Sequence, residues 1–168
     1  MARPTSPPAR SVTGSQLVLD LGHRPALGRE DYLVAPGNRV AVDWIDRWPE
    51  WPQPGLALYG EAGAGKTHLT QVWRTRSGAV ALDPEALCGQ EPPELLGDAR
   101  ACILDDAEAL WPSAASKDES ERRLLHVYNM VAQRGGHMLF ASRAAPARWP
   151  IALADLRSRL AALSAVAL

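Results

Sequence analysis

Gly60-Glu61-Ala62-Gly63-Ala64-Gly65-Lys66-Thr67 fits the pattern G-x-x-x-x-G-K-[ST]. The spacing has a chemical reason. Glycines at 60, 63 and 65 let the backbone turn tightly, so that its N–H groups ring a phosphate. Lys66 then reaches the β- and γ-phosphates, and the Thr67 hydroxyl is available to Mg²⁺. A helix that starts here aims its positive end at the same anion. The flanks agree with this reading. Leu56-Ala57-Leu58-Tyr59 is a short apolar run, as a buried strand should be, and residues 66–74 read as the helix. The bland alternative is a glycine-rich strand-to-helix turn with no ligand.

Length and composition bound the rest. The chain has 168 residues and a mass of 18.1 kDa, enough for one domain with a full core. Its formal net charge is −1, so no basic field points to nucleic acid as the main partner. Two cysteines, Cys88 and Cys102, make no disulfide framework. Cys102 lies in an apolar run and reads as core, which makes a reducing cytoplasm the expected compartment. No apolar run approaches the roughly 20 residues that cross a bilayer, so no membrane role is expected. The four histidines show no metal-ligand spacing.

Taken in order, residues 1–14 are rich in Pro, Ser and Arg and read as a disordered tail. Gln16-Leu17-Val18-Leu19-Asp20-Leu21 follows. Leu17, Leu19 and Leu21 alternate, so an extended chain puts them on one side. The segment reads either as an edge strand or as a linear peptide that docks in a partner's groove through Gln16, Leu17, Leu19 and Leu21. Its position before a Gly22-His23-Arg24-Pro25 turn favours docking. Residues 15–29 thus form a motif and linker, and residues 30–168 the domain. Residues 39–48 form an amphipathic helix with Val40, Trp44, Ile45 and Trp48 on one face and Asn38 as its N-cap.

Residues 79–82 form a second strand, and residues 83–100 a connection with two short helical turns. That connection carries Asp83, Glu85, Glu91, Glu94 and Asp98 and no basic residue before Arg100. Ala101-Cys102-Ile103-Leu104-Asp105-Asp106 is an apolar strand that ends in two carboxylates. One strand after a phosphate loop, this reads as a Walker B segment. Asp105 then holds the Mg²⁺ shell and Asp106 faces the attacking water. The plain alternative is an N-cap for a helix over residues 107–111. A long helix over 118–134 buries Leu124, Leu125, Tyr128 and Val131, with Arg122 and Arg123 outward, and Gly135-Gly136 ends it. Residues 137–142 form the next strand. Ser142 and Arg143 at its tip are the candidates for the polar group near a γ-phosphate. Residues 155–160 form a charged helical turn and residues 163–168 a last strand. Strands alternating with helices predict an α/β fold with a five-stranded parallel sheet.

The residues then resemble a known family. Asp31-Tyr32-Leu33-Val34 with Asn38, the loop through Thr67-His68-Leu69, Ile103-Leu104-Asp105-Asp106, Val127-Tyr128-Asn129 and Leu156-Arg157-Ser158-Arg159-Leu160 look like the AAA+ domain of the DnaA replication initiator. The hexapeptide at 16–21 is similar to the clamp-binding segment of the Hda or HdaA-type DnaA paralogues. The resemblance implies a P-loop AAA+ core that binds ATP or ADP with Mg²⁺. Gly60, Gly63, Ala64, Gly65, Lys66, Thr67 and His68 would contact the nucleotide, and Leu33 and Val34 would pack beside the adenine. It also implies two partners, the DNA polymerase sliding clamp and DnaA. Arg159 would act as an arginine finger in trans on ATP held by DnaA, with Asp106 and Ser142 as catalytic groups. The function implied is negative regulation of replication initiation.

Two departures qualify this. Arg143 stands where the family usually has Asp, which disfavours self-hydrolysis. The chain ends at Leu168, where the AAA+ lid would begin, so a base without a lid is expected. The acidic connection makes direct DNA binding unfavourable. Whether the chain forms a homo-oligomer stays open. The alternatives are an autonomous AAA+ ATPase such as a helicase loader, and a non-hydrolysing ADP-binding adaptor.

Overall fold

A computed structural model describes residues 34–111 and 117–168. The docking hexapeptide with Gln16, Leu17, Leu19 and Leu21, the preceding tail, and Leu33 lie outside the described residues. The described elements are α1 (Arg39–Arg47), β1 (Gly55–Tyr59), α2 (Lys66–Ser77), β2 (Val80–Ala81), α3 (Pro84–Gly89), α4 (Pro92–Leu96), β3 (Ala101–Leu104), α5 (Lys117–Gln133), β4 (His137–Ser142), α6 (Ala154–Ala161) and β5 (Ser164–Ala167). Short 3₁₀ helices cover Ala107–Leu110 and Pro146–Arg148.

Five strands form one sheet in the order β2-β3-β4-β1-β5, and every pairing is parallel. The expected α/β fold is therefore the observed one. A parallel sheet needs helices on both faces, and the strands show why. Leu56, Leu58, Ile103 and Leu139 face one cluster, which α1 and α2 complete with Val42, Ile45, Leu69 and Trp73. Ala57, Cys102, Leu104, Met138 and Phe140 face the other, which α3 to α6 complete with Leu87, Leu96, Leu124, Val127, Leu156 and Leu160. Alternate residues thus serve opposite cores, and the strands read as continuous apolar runs. Burial pushes the Cys102 thiol up to about 12, so this cysteine is an inert core residue.

An aromatic group closes the end of the sheet away from the phosphate loop. Trp51 stacks on Trp73 with ring centroids 5.3 Å apart, and Trp48 meets Trp73 edge-on at 5.9 Å. His137, at the start of β4, lies edge-on to both Trp48 and Trp51. Arg76 donates to the carbonyls of Asp46 and Trp48, which ties α2 to the end of α1.

Several local expectations change. Val40 is 59% exposed, and the buried face of α1 is Ala41, Val42 and Ile45 instead. The Asn38 side chain accepts from the Ala35 N–H at 2.8 Å and makes no cap bond to α1. It closes the turn before the helix, a competing use of the same acceptor. The strand expected over 79–82 is reduced to Val80–Ala81 at the sheet edge. The helix expected over 107–111 is a four-residue 3₁₀ helix.

His137 gives a test of the aromatic end. Burial holds its pKa below the ordinary value of 6.5. The unfolded chain therefore binds more protons than the folded one below that pH. The stabilisation is present above pH 6.5 and is lost as pH falls through the folded value. The melting temperature is expected to drop between pH 7.5 and about 5.5, and to drop less in His137→Gln; equal drops would show that His137 is not a source of the pH dependence.

Candidate functional site

The site forms where β1, β3 and β4 end side by side. Gly60 follows β1 and is held from both neighbours: its N–H donates to the Ser142 carbonyl at 3.2 Å, and a Cβ here would lie 2.4 Å from the Leu168 carbonyl oxygen. Only glycine fits where the chain end passes so closely. Gly63 and Gly65 take φ values of 81° and 97°, in the left-handed region. Helix α2 starts at Lys66, directly after that turn. The Lys66 ammonium donates to the carbonyls of Gly60 at 2.7 Å and Glu61 at 2.8 Å, so its head is held against the loop.

A cavity of about 250 Å³ opens beside this loop. Its lining includes Gly63, Lys66, Thr67, Asp105, Asp106 and Ser142, with Ala62, Ala141 and Arg143. Most of the polar residues expected to serve the phosphates and Mg²⁺ are thus brought together. Ala64, Gly65 and the half-buried His68 belong to the same loop and helix start without lining the cavity. Val34 is 44% exposed and lines a different cavity, of about 490 Å³, with Ala35, Pro36, Arg39, Val42 and Asp43.

The two carboxylates differ. Strand β3 ends at Leu104, so both follow the strand rather than belong to it. Oδ1 of Asp105 accepts the Asp106 N–H at 3.0 Å. Asp106 has φ 52° and ψ 54°, the one non-glycine residue with positive φ among the described residues. Its side chain makes no cap hydrogen bond to the 3₁₀ helix that follows. A structural N-cap therefore does not account for Asp106, and the strained backbone aims a free carboxylate at the cavity edge.

Ser142 is 1% exposed, and its hydroxyl donates to the Ala144 carbonyl at 2.7 Å. Trp149 Nε1 donates to the same carbonyl at 2.9 Å. Two further carboxylates, not singled out from the sequence, hold this part of the chain. Oε1 of Glu108 accepts the N–H groups of Arg143 and Ala144, the latter at 3.1 Å. Glu121, 1% exposed on α5, accepts the N–H groups of Ala152 and Leu153 just before α6. Sequence offers a weak signal for Glu108, which sits three residues after Asp105, and none for Glu121, whose partners lie 31 and 32 residues away.

Arg159 is not part of the cavity. It sits on α6 with its Nε 3.1 Å from Oδ1 of Asp155, and its guanidinium carbon 6.0 Å from the centre of the Tyr128 ring. Its side chain is 41% exposed.

The residues present fit a nucleotide's phosphates and Mg²⁺. The loop would supply N–H groups and one ammonium, and Thr67 and Asp105, which line the same cavity, would supply two oxygen ligands. Mg²⁺ keeps several waters and takes the rest of its shell from phosphate, so two protein ligands suffice. When bound, the ion neutralises charge that develops on the phosphates. Among the described residues, no group of three or more His, Cys, Asp or Glu could hold a metal, and no helix is long and apolar enough to cross a membrane.

Neither a protein-family model nor a curated protein sequence matches the chain. Solved structures do. The fold is that of DnaA's domain III. The domain III structure from Thermotoga maritima matches with a TM-score of 0.70 and 20% identity, over 86% of this chain and 67% of that one. AMPPCP-bound DnaA from Aquifex aeolicus matches with a TM-score of 0.71 and 21% identity, over 86% of this chain and 50% of that one. The DnaC helicase loader matches with a TM-score of 0.54 and 17% identity, over 82% of this chain and 93% of that one. The chain spans about half the length of the replication-initiation structures that match first. These likenesses show the α/β fold with a five-stranded parallel sheet expected from the sequence.

Two variants test the site. Asp106→Gly is expected to raise unfolding stability by about 1 kcal/mol, because glycine removes the left-handed strain; a loss in urea titration would show that the Asp106 side chain stabilises the turn. Glu121→Ala is expected to cost about 1–3 kcal/mol, since it removes the buried carboxylate that holds the Ala152 and Leu153 N–H groups, with Glu121→Gln costing less. Equal losses in the two variants would show that side-chain volume, not the backbone bonds, is what matters.

Proposed function

We propose that this protein is a nucleotide-binding AAA+ regulator of DNA replication initiation that restrains DnaA. In this reading the loop from Gly60 to Thr67 holds ATP or ADP with Mg²⁺, and Asp105 and Asp106 complete the phosphate site. Val34 and Leu33 pack beside the base. The segment Gln16 to Leu21 tethers the protein to the sliding clamp. Arg159 is presented in trans to ATP held by DnaA and promotes its hydrolysis. Arginine fingers accelerate such reactions by roughly 10³–10⁵.

The observation that supports this best is the separation of Arg159 from the protein's own phosphate cavity. A guanidinium that is exposed on α6 serves a second chain more readily than its own site. The likeness in fold to a replication initiation protein supports the choice of partner. Direct DNA binding is disfavoured, because Asp83, Glu85, Glu91, Glu94 and Asp98 are all exposed. The proposed compartment is the cytoplasm.

A second reading is an autonomous ATPase, a helicase loader among them. The gathering of Lys66, Thr67, Asp105 and Asp106 in one cavity favours it. It requires turnover by this protein alone that Asp106→Asn abolishes. A large melting shift with ADP and no stimulation of any hydrolysis would instead point to an ADP-binding adaptor.

The test uses DnaA, the clamp and this protein together. Arg159→Ala is expected to keep clamp and nucleotide binding while its stimulation of DnaA hydrolysis falls by about 10³ or more. The pair Gln16→Ala/Leu19→Ala is expected to lose clamp binding and leave nucleotide binding unchanged. Undiminished stimulation by Arg159→Ala would remove the finger assignment, and undiminished clamp binding by the pair would remove the tether.

A further inference from the structure

The sheet has β2 at one edge and β5 at the other. An exposed edge strand offers unpaired N–H and C=O groups to any further strand, and proteins blunt such edges with short strands, charges or proline. Strand β2 is blunted by its length, since it consists of Val80 and Ala81. Strand β5 reads Ser164-Ala165-Val166-Ala167, with neither charge nor proline. Among the described residues, no strand pairs with its outer side.

The hydrogen bonds show which groups this edge offers. The Leu168 N–H donates to the Tyr59 carbonyl at 2.8 Å, so Leu168 turns its backbone toward β1. Successive residues of a strand turn their N–H and C=O groups to opposite sides. Val166 therefore also faces β1, and Ala165 and Ala167 point their backbone groups outward. The side chains alternate in step: Val166 is buried, whereas Ala165 and Ala167 are exposed. Ala165 pairs in register with Ala57, so both alanines lie on the sheet face that carries Ala57.

Gln16 to Leu21, outside the described residues, has the pattern of an added strand. Leu17, Leu19 and Leu21 fall on one side of an extended chain. Residues 22–33 connect this segment to Val34, just before α1. Helix α1 packs against β5, with Ala41, Val42 and Ile45 in one cluster with Val166. Fully extended, that connection reaches about 40 Å. The whole sheet is only about 20 Å wide, so the segment reaches the β5 edge with length to spare.

We propose that Gln16 to Leu21 adds to the outer side of β5 as a sixth strand, with its leucines over Ala165 and Ala167, and that the sliding clamp competes for the same segment. The competition rests on the clamp-tether reading given above; the strand addition does not. A leucine side chain serves one partner at a time, so the two states exclude each other. The tether is then masked in the isolated protein and released only when the clamp captures it. A segment held on β5 for nine-tenths of the time binds the clamp about tenfold more weakly than a segment never held there.

The experiment follows the amide hydrogen exchange of Ala167 in the full chain, and separately the affinity for purified clamp. In the isolated protein this outward N–H is expected to exchange about tenfold more slowly than an unpaired amide. Val18→Pro/Leu19→Pro removes one donor of each parity from the segment, so a donor facing β5 is lost in either alignment. That variant is expected to lose the Ala167 protection. Ala165→Pro removes an outward donor from β5 without touching the pairing with β1, as proline on an edge strand allows. It is expected to lose the Ala167 protection and to bind the clamp about tenfold more tightly.

Unprotected Ala167 in the unmodified chain would overturn the strand addition. So would protection that survives Val18→Pro/Leu19→Pro, or that grows with protein concentration, which would assign the edge to a second copy. If Ala165→Pro does not fold, Val18→Pro/Leu19→Pro, which changes no residue of the described domain, decides the strand addition alone, and loss of Ala167 protection on adding clamp to the unmodified chain decides the competition. Lost protection in Ala165→Pro with unchanged clamp affinity would overturn the competition. No clamp binding by any of these proteins would instead overturn the tether reading, and the exchange of Ala167 without clamp distinguishes that failure from the first.

Discussion

Burial of both faces of a parallel sheet is the constraint on which the rest depends. Parallel strands need a crossover between each pair, and the crossovers carry the helices that cover each face. All strand tips then emerge along one edge. Tyr59, Leu104 and Ser142 end neighbouring strands of this sheet, so the groups that follow them are neighbours although they are far apart in sequence. The phosphate loop, the carboxylate pair and Arg143 meet for this reason alone. Ligands of open α/β sheets bind at this same edge.

The joints along that edge are carboxylates. Glu108 and Glu121 each accept two backbone N–H groups from the segment that runs between β4 and α6. A carboxylate suits this use because it accepts from several donors at once, and such charge-assisted bonds are stronger than neutral ones. The segment has one 3₁₀ turn and otherwise no regular structure, so its N–H groups have few partners of their own. Two acids from other elements satisfy four of them. The position of Arg143, and the start of the helix that carries Arg159, follow from those bonds.

The sequence makes local features legible and distant ones opaque. The phosphate loop is readable because its chemistry needs glycine and lysine at fixed spacing. The strands are readable because each serves two cores and so is apolar throughout. Asp105 and Asp106 are readable as a pair after such a strand, but the left-handed backbone of Asp106 is not, since Asp tolerates many conformations. Asn38 shows the limit at a helix start: the residue type suits a cap, and the turn at Ala35 takes its oxygen instead. Val40 shows it at a helix face. Val40 and Ala41 are both apolar, and packing on β5 and α2 selects the smaller one. The roles of Glu108 and Glu121 depend on partners more than 30 residues away, which no periodicity encodes.

The pairing of Arg159 is the last feature that energy decides. Asp155 lies one helical turn before it, and the two side chains are 56% and 41% exposed. A pair of this kind contributes only about 0.2–0.5 kcal/mol, and salt weakens it further. It is too weak to serve as a structural lock. Its effect is instead to limit where the guanidinium points, while Tyr128 supplies a flat surface beneath it. Both Asp155 oxygens accept from the guanidinium, at 3.1 and 3.4 Å, yet a pair this exposed is given up at little cost. A surface ion pair is usually an argument against a functional role. Here its weakness is compatible with the role proposed for Arg159 on a second chain.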